Sequence, residues 1–172
     1  MTSDDEAAFA GLFDAHRDGV HAFLLARTAD AETARDLLQD TFLRLWRRLD
    51  EVAVLDEGRQ RAWLVTVARN LVIDRYRADA TRRATLAAVA HETHHAAHQA
   101  DAVDQLAARD DLAVLDAAIA ALPDDEREVL TMTVVAGMTS RQVGEALDLP
   151  AGTVRYRLHR ARTRLAERLE VT

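Results

Sequence analysis

Residues 137–170 read GMTSRQVGEALDLPAGTVRYRLHRARTRLAERLE, and this stretch decides the fold. Thr139, followed three positions later by Gln142, fits a capping box and opens a short helix that runs to Leu147. Asp148, Leu149 and Pro150 make a tight connection, and a second helix spans roughly Ala151–Leu169. Val154, Leu158, Ala161, Leu165 and Leu169 recur along it at three- and four-residue spacing, the mark of one buried helical face. A short helix, a three-residue turn and a longer helix form a helix-turn-helix arrangement. Gly144 falls where the first helix meets the second, so its missing side chain permits a close approach. The outer face of the longer helix carries Arg155, Tyr156, His159, Arg160 and Thr163, flanked by Arg157, Arg162 and Arg164. Near the N-terminal end of such a helix side chains reach base edges, and arginines further along hold phosphates. A plain helical hairpin is the alternative reading of the same spacing.

Upstream, Pro123 with Asp124, Asp125 and Glu126 marks a helix start, with proline and acids where the helix dipole favours them. That helix runs to about Ala136 and stops at Gly137. Leu112, Leu115, Ile119 and Leu122 form an apolar stripe before it. In the first half, Phe9, Leu12, Phe13, His16, Val20, Phe23 and Leu24 lie at helical spacing. Asp30 can cap a second helix over about 31–49, with Ala34, Leu37, Leu38, Thr41, Phe42, Leu45 and Leu49 as its stripe. An acidic loop, Asp50–Gly58, leads to a third helix, roughly Arg59–Arg77. Leu64, Val65, Val67, Ala68, Leu71, Val72 and Tyr76 make its apolar face; Arg59, Trp63, Thr66, Asn70, Ile73, Asp74 and Arg77 lie opposite. An aromatic and several hydrogen-bonding groups on a basic helix suit unpaired bases; an ordinary amphipathic helix with Trp63 tucked into a neighbour is the competing reading.

Composition agrees with helices throughout. The chain has 172 residues, two prolines and six glycines, with long runs of alanine, leucine and arginine that favour helix over strand. The expectation is an all-α protein of two small helical domains, 1–80 and 111–172, joined by a linker over 81–110. Cysteine is absent, which excludes disulfides, thiolate catalysis and cysteine-ligated metals. The acidic first residues read as no secretory signal and no run approaches a membrane span, so the expectation is a cytoplasmic protein without direct membrane insertion.

The net charge of −7 hides its distribution. Residues 59–83 carry seven arginines against two acids, and residues 151–172 carry six against two, while every other segment is acidic. Two basic islands, each on a helix, are the footprint of a chain that touches phosphates at two separated places. All 22 basic residues are arginines, a chain-wide bias that by itself says nothing about binding.

The segments Leu122–Leu130, Met138-Thr139 and Leu149–Arg162, with the last containing Gly152-Thr153-Val154 and Arg160-Ala161-Arg162, resemble region 4 of extracytoplasmic-function sigma factors. Asp36–Trp46 resembles region 2.2 of the same family, and Arg61–Leu64 with Ala68-Arg69-Asn70 and Asp74-Arg75 resembles regions 2.3 and 2.4. The resemblance implies a subunit that binds core RNA polymerase and promoter DNA, under the control of an anti-sigma factor, without cofactor or small-molecule substrate and without enzymatic activity of its own. It assigns polymerase binding to Asp36, Gln39, Asp40, Phe42 and Arg44, although the stripe position of Phe42 also fits plain core. It assigns the −10 element to Trp63, Arg69, Asn70, Asp74, Arg75 and Arg77, with a flipped base beside Val54–Gly58. It assigns the −35 element to Arg141, Thr153, Arg155, Tyr156, Arg157, His159 and Arg160. The sequence departs from the family at Arg141, Gln142, Asp148 and Tyr156, so a relative's promoter sequence does not transfer.

His91, His94, His95 and His98 would share one face of a helical linker, and imidazoles so placed can bind a transition metal or respond to pH. A solvated linker tract is the simpler reading. Two rival functions stay open at this level: a self-sufficient helix-turn-helix regulator binding duplex operator as a dimer, and a metal-dependent enzyme built on the histidines.

Overall fold

The structure, a computed structural model, describes residues 3–89, 114–115 and 117–170; all its regular elements are helical. The first helix, α1 (Ser3–Thr28), has Asp4, Asp5 and Glu6 in its first turn and Arg27 in its last, both matching the helix dipole. Ala29 breaks it at φ 53°, and Asp30 caps α2 (Ala31–Trp46) by accepting from the Thr33 amide at 2.9 Å. Leu12, Val20, Phe23 and Leu24 from α1 and Ala34, Leu37, Phe42 and Leu45 from α2 are buried, as their periodicity predicts.

The expected loop over Asp50–Gly58 is shorter than the sequence suggests. A one-turn helix, α3 (Leu49–Ala53), forms first, because Leu49 and Val52 lie three apart and both reach the core. The long helix α4 (Glu57–Val89) then continues well past Arg77 and nine residues beyond residue 80, the expected domain edge. Residues 59–89 contain neither glycine nor proline, and their alanines, arginines and leucines propagate helix. Tyr76, placed by periodicity on the apolar face, is half exposed, and its hydroxyl donates to the Arg27 carbonyl at 2.9 Å.

In the second half, α5 (Asp124–Leu130) passes into a π-helical turn, Thr131–Val135, where an ordinary α-helix was expected. The Ala136 amide donates to the Thr131 carbonyl, five residues back, at 2.9 Å. The wider turn lets Val129, Leu130, Met132 and Ala136 all face the core before Gly137, at φ 66°, ends the segment. Helices α6 (Ser140–Leu147) and α7 (Ala151–Glu170) follow. Leu169, expected on the buried stripe of α7, is 41% exposed. Leu112 and the four linker histidines lie outside the described residues.

The two halves do not stand apart. One apolar cluster runs from Leu12, Phe23 and Leu64 through to Val129, Met132 and Val154. Helix α1 packs on α2, α4 and the π turn, while α6 lies beside α4. Among the described residues no helix is long and apolar enough to cross a membrane.

Candidate nucleic-acid interface

The helix-turn-helix is built by short-range chemistry. Thr139 accepts from the Gln142 amide and Gln142 Oε1 accepts from the Thr139 amide, the reciprocal pair of a capping box. Asp148 closes α6 in the left-handed region at φ 54°, ψ 48°, and the Leu149 amide donates to the Gly144 carbonyl at 2.8 Å. A β-carbon on Gly144 would stand 2.5 Å from the Leu149 carbonyl oxygen, so the turn closes only over glycine. Val154, Leu158 and Ala161 are buried and anchor α7; full burial of a side chain of the size of Val154 or Leu158 stabilises by about 1.5–3 kcal/mol.

That anchoring turns the opposite face outward. Arg155, Tyr156, His159, Arg162 and Thr163 are exposed, and Thr153 is partly so. The arginines divide into two sets. Arg157 pairs with Asp125 at 3.3 Å, while Arg160 and Arg164 converge on Glu126 at 3.3 and 2.9 Å. The Glu126 side chain is only 7% exposed, so these arginines clamp α7 to α5 as well as lining the basic face. Arg160 also sits 5.9 Å from the Tyr156 ring centroid and donates to that residue's hydroxyl at 3.2 Å; this hydrogen bond, with the charge of Glu126, raises its pKa above the ordinary arginine value. Arg141, on α6, is exposed and 3.8 Å from Glu145.

The basic face of α4 is arranged differently. Asp56 caps the helix by accepting from the Arg59 amide at 2.9 Å, and Gln60 Nε2 donates to the Leu55 carbonyl at 2.8 Å. Together they hold the short loop Val54–Asp56, on which Val54 is 81% exposed. Trp63, Thr66 and Asn70 line an open groove of about 490 Å³ with Arg48; its far wall is Gln142, Glu145 and Ala146 of α6. Asn70, Asp74, Arg75 and Arg77 are exposed, with Arg75 pairing Asp79 at 3.4 Å. Arg69, on the same helix, reaches the second half of the chain, where its Nε donates to Glu128 Oε1 at 2.7 Å.

A third face lies on α1 and α2. Asp36, Gln39, Asp40 and Arg44 are exposed, while Phe42 is 3% exposed and packs edge-on against Phe13 at 4.7 Å. Beside it Phe9 meets Trp46 edge-on at 5.1 Å, and with Leu38 and Leu43 these rings border an apolar groove of about 500 Å³. Sequence reasoning assigned no surface role to Phe9, Phe13, Leu43 or Trp46. The signal was present in two aromatic pairs, 9 with 13 and 42 with 46, each four residues apart on one helical face.

The halves meet through polar contacts as well as the core. Gln142 Nε2 donates to the Gly58 carbonyl at 3.0 Å, and the Arg61 guanidinium covers Gly137. Arg27, at the end of α1, has its pKa lowered mainly by burial, with Glu128 opposing. Among the described residues no three histidines or carboxylates gather into a metal site.

The family description Sigma-70 region 2 matches residues 12–82, and Sigma-70, region 4 matches residues 112–165. The chain is 31% identical over 158 residues to the ECF RNA polymerase sigma factor SigL of Mycobacterium tuberculosis, covering 91% of this chain and 86% of that protein. It is 28% identical over 171 residues to the ECF RNA polymerase sigma factor SigW of Bacillus subtilis, covering 96% and 90%. Among solved structures, the sigma factor RpoE in complex with the anti-sigma factor NepR from Bartonella quintana matches at TM-score 0.70 and 25% identity, over 99% of both chains. CnrH in complex with the cytosolic domain of CnrY matches at 0.67 and 26%, over 96% of this chain and 90% of that one. With both regions in order on either side of residues 83–111, and relatives matched over nearly their whole length, the chain belongs to the ECF sigma factors of RNA polymerase.

Proposed function

We propose that this chain binds core RNA polymerase and directs it to promoters, reading duplex DNA with α7 and an unwound strand with α4. The observation that carries the reading is the pair of arginine-rich helix faces on opposite halves of the chain, built for different states of DNA. On α7 the outward set is Thr153, Arg155, Tyr156 and His159, with Arg157 and Arg160 behind them and Arg141 on the preceding helix. A helix of this kind enters a major groove with its N-terminal residues on base edges. This is the −35 role.

On α4, Trp63 and Asn70 border an open groove beside the loop that carries Val54, and Arg69, Asp74, Arg75 and Arg77 continue the surface. An aromatic platform contributes about 1–3 kcal/mol per stacked base. One DNA stacking step costs about 1.4 kcal/mol to open. Trp63 can therefore compensate one or two bases and no more, so wider opening at the −10 element falls to the polymerase. The exposed Asp36, Gln39, Asp40 and Arg44, with Phe42 shaping the adjoining aromatic groove, form the polymerase-binding face.

Bond formation belongs to the polymerase in this scheme, and the chain needs no catalytic group or cofactor. It acts in the cytoplasm, where its polymerase is, and an anti-sigma protein controls it, in keeping with its likeness to RpoE bound to NepR. Run-off transcription with purified core polymerase on the promoter of the chain's own operon tests the proposal. A discrete start site that depends on the added chain supports it; failure to associate with core and to select a start on any template refutes it.

A further inference from the structure

The acidic first turn of α5 is tied to the outer face of α7 by a chain of contacts that ends on Tyr156. Glu126 is nearly buried, and its carboxylate faces the Nε atoms of Arg160 at 3.3 Å and Arg164 at 2.9 Å. Arg160 Nη1 in turn donates to the Tyr156 hydroxyl at 3.2 Å, with the guanidinium carbon 5.9 Å from the ring centroid. Side chains four apart on a helix meet, and they lean toward its N-terminus, so Arg160 reaches back over Tyr156. With Nε and Nη1 both facing protein oxygens, Arg160 is tethered, whereas Arg155 is exposed and has no ion-pair partner among the described residues. Tyr156 itself is 58% exposed, while Val154 and Leu158, two positions before and after it, are buried. Its ring therefore belongs to the outward surface and not to the core.

We infer that Tyr156 selects a thymine in the duplex promoter element, and that Arg160, anchored by Glu126, is the positioning residue that holds it there. This deepens the assignment of α7 to duplex DNA and rests on it. Because the Tyr156 oxygen accepts from Arg160, its own O–H is left to donate. A donor at the rim of an apolar ring matches a base edge that sets an acceptor beside a methyl group. In the major groove only thymine does so, with O4 next to its C5-methyl; cytosine presents an amino donor at that place and no methyl. A nearly buried carboxylate gives the tether a fixed end, and a reading group whose supports are themselves locked keeps its aim. Without Arg160 the ring remains, but its direction and the turn of its hydroxyl are no longer set.

The test uses holoenzyme reconstituted from core polymerase and the full chain. Its templates carry the promoter of the chain's own operon with the −35 element randomised, and each sequence bears a transcribed barcode. Counting transcripts gives a preference for each base at each position, and ratios within one preparation do not depend on the fraction of folded protein. The parent should favour thymine over cytosine about tenfold at one position. Tyr156→Ala should bring that ratio close to parity and leave the other positions unchanged; Tyr156→Phe, which keeps the ring, should fall between. Arg160→Ala should flatten the same position. Arg160→Lys, which can still pair with Glu126 and donate to the hydroxyl, should restore part of the preference. Replacing the selected thymine by deoxyuridine removes only the methyl, and should lower initiation by the parent and by Tyr156→Phe up to about fourfold while leaving Tyr156→Ala unaffected. An even loss across all sequences in Tyr156→Ala overturns the inference, as does an Arg160→Ala variant that loses a guanine at another position and keeps the thymine. Base preferences in the parent that no Tyr156 variant alters remove this inference alone; a parent indifferent to every base of the element, or selecting no start, removes the reading of α7 beneath it.

Discussion

Gly144→Ala separates two opposing effects whose sizes can be worked from the structure. In a helix interior alanine is favoured over glycine by about 0.8–1.0 kcal/mol, so propensity alone makes this substitution stabilising. The added methyl, however, would lie 2.5 Å from the Leu149 carbonyl oxygen, a backbone atom in the turn that cannot rotate away. That oxygen belongs to the segment whose amide is bonded to Gly144 itself at 2.8 Å, so relief requires α6 and α7 to separate by several tenths of an ångström. Overpacking of this kind costs about 1–3 kcal/mol and more where backbone must move. Because backbone must move, the steric cost falls in the upper part of that range, about 2–3 kcal/mol, and outweighs propensity to leave a net loss of roughly 1–2 kcal/mol. For a chain of this size that corresponds to a fall in Tm of about 2–8 °C. Gly11→Ala is the matched control, since its new methyl meets nothing within 4 Å on an exposed helix position, and it should raise Tm slightly. Thermal melts followed by circular dichroism at equal protein concentration measure both. An unchanged or raised Tm in Gly144→Ala would show that the turn yields without cost and would refute the close-approach account of this glycine.

Arg155→Ala should lower transcription from a −35-dependent promoter about tenfold or more while leaving polymerase association unchanged, since one bidentate base contact discriminates by about 1–3 kcal/mol; loss of core binding would place Arg155 on the wrong surface. Asn70→Ala should slow initiation on duplex promoters more than on pre-melted templates, and equal losses on both would assign it a structural role. Asp40→Ala should weaken association with core polymerase in a pull-down or anisotropy titration without altering the melting curve, as its side chain is exposed. Glu126→Ala should destabilise the second half, because Arg160 and Arg164 lose a nearly buried partner; these arginines are themselves about 40% exposed, so the expected loss is held to about 1–2 kcal/mol after solvent screening, read by urea unfolding. A Cm equal to that of the parent would mean the clamp contributes nothing.

Local chemistry made much of this protein readable from its residues. The Thr139–Gln142 capping box, the Asp30 cap, the stop at Gly137 and the tight turn over Gly144 each depend on atoms a few positions apart. The buried stripes of α1, α2, α4 and α7 follow from helical period and from the exclusion of apolar area from water, and they placed the buried apolar residues of those four helices, while Val52, Val129, Met132 and Val143 lay outside them. The outward set on α7 was legible for the same reason, because a buried Val154, Leu158 and Ala161 leave Arg155, Tyr156 and His159 no direction but solvent.

Tertiary packing decided the rest. No periodicity reveals that Arg160 and Arg164 share Glu126, or that Arg69 is taken by Glu128 across the chain, because a charged side chain has the same signature whether its partner is water, phosphate or a distant carboxylate. The π turn at Thr131–Val135 and the one-turn helix at Leu49–Ala53 arise where core geometry selects among conformations of nearly equal local energy. The union of both halves in one apolar cluster likewise depends on surface complementarity between α1, α4, the π turn and α6, which exists only once those elements have formed.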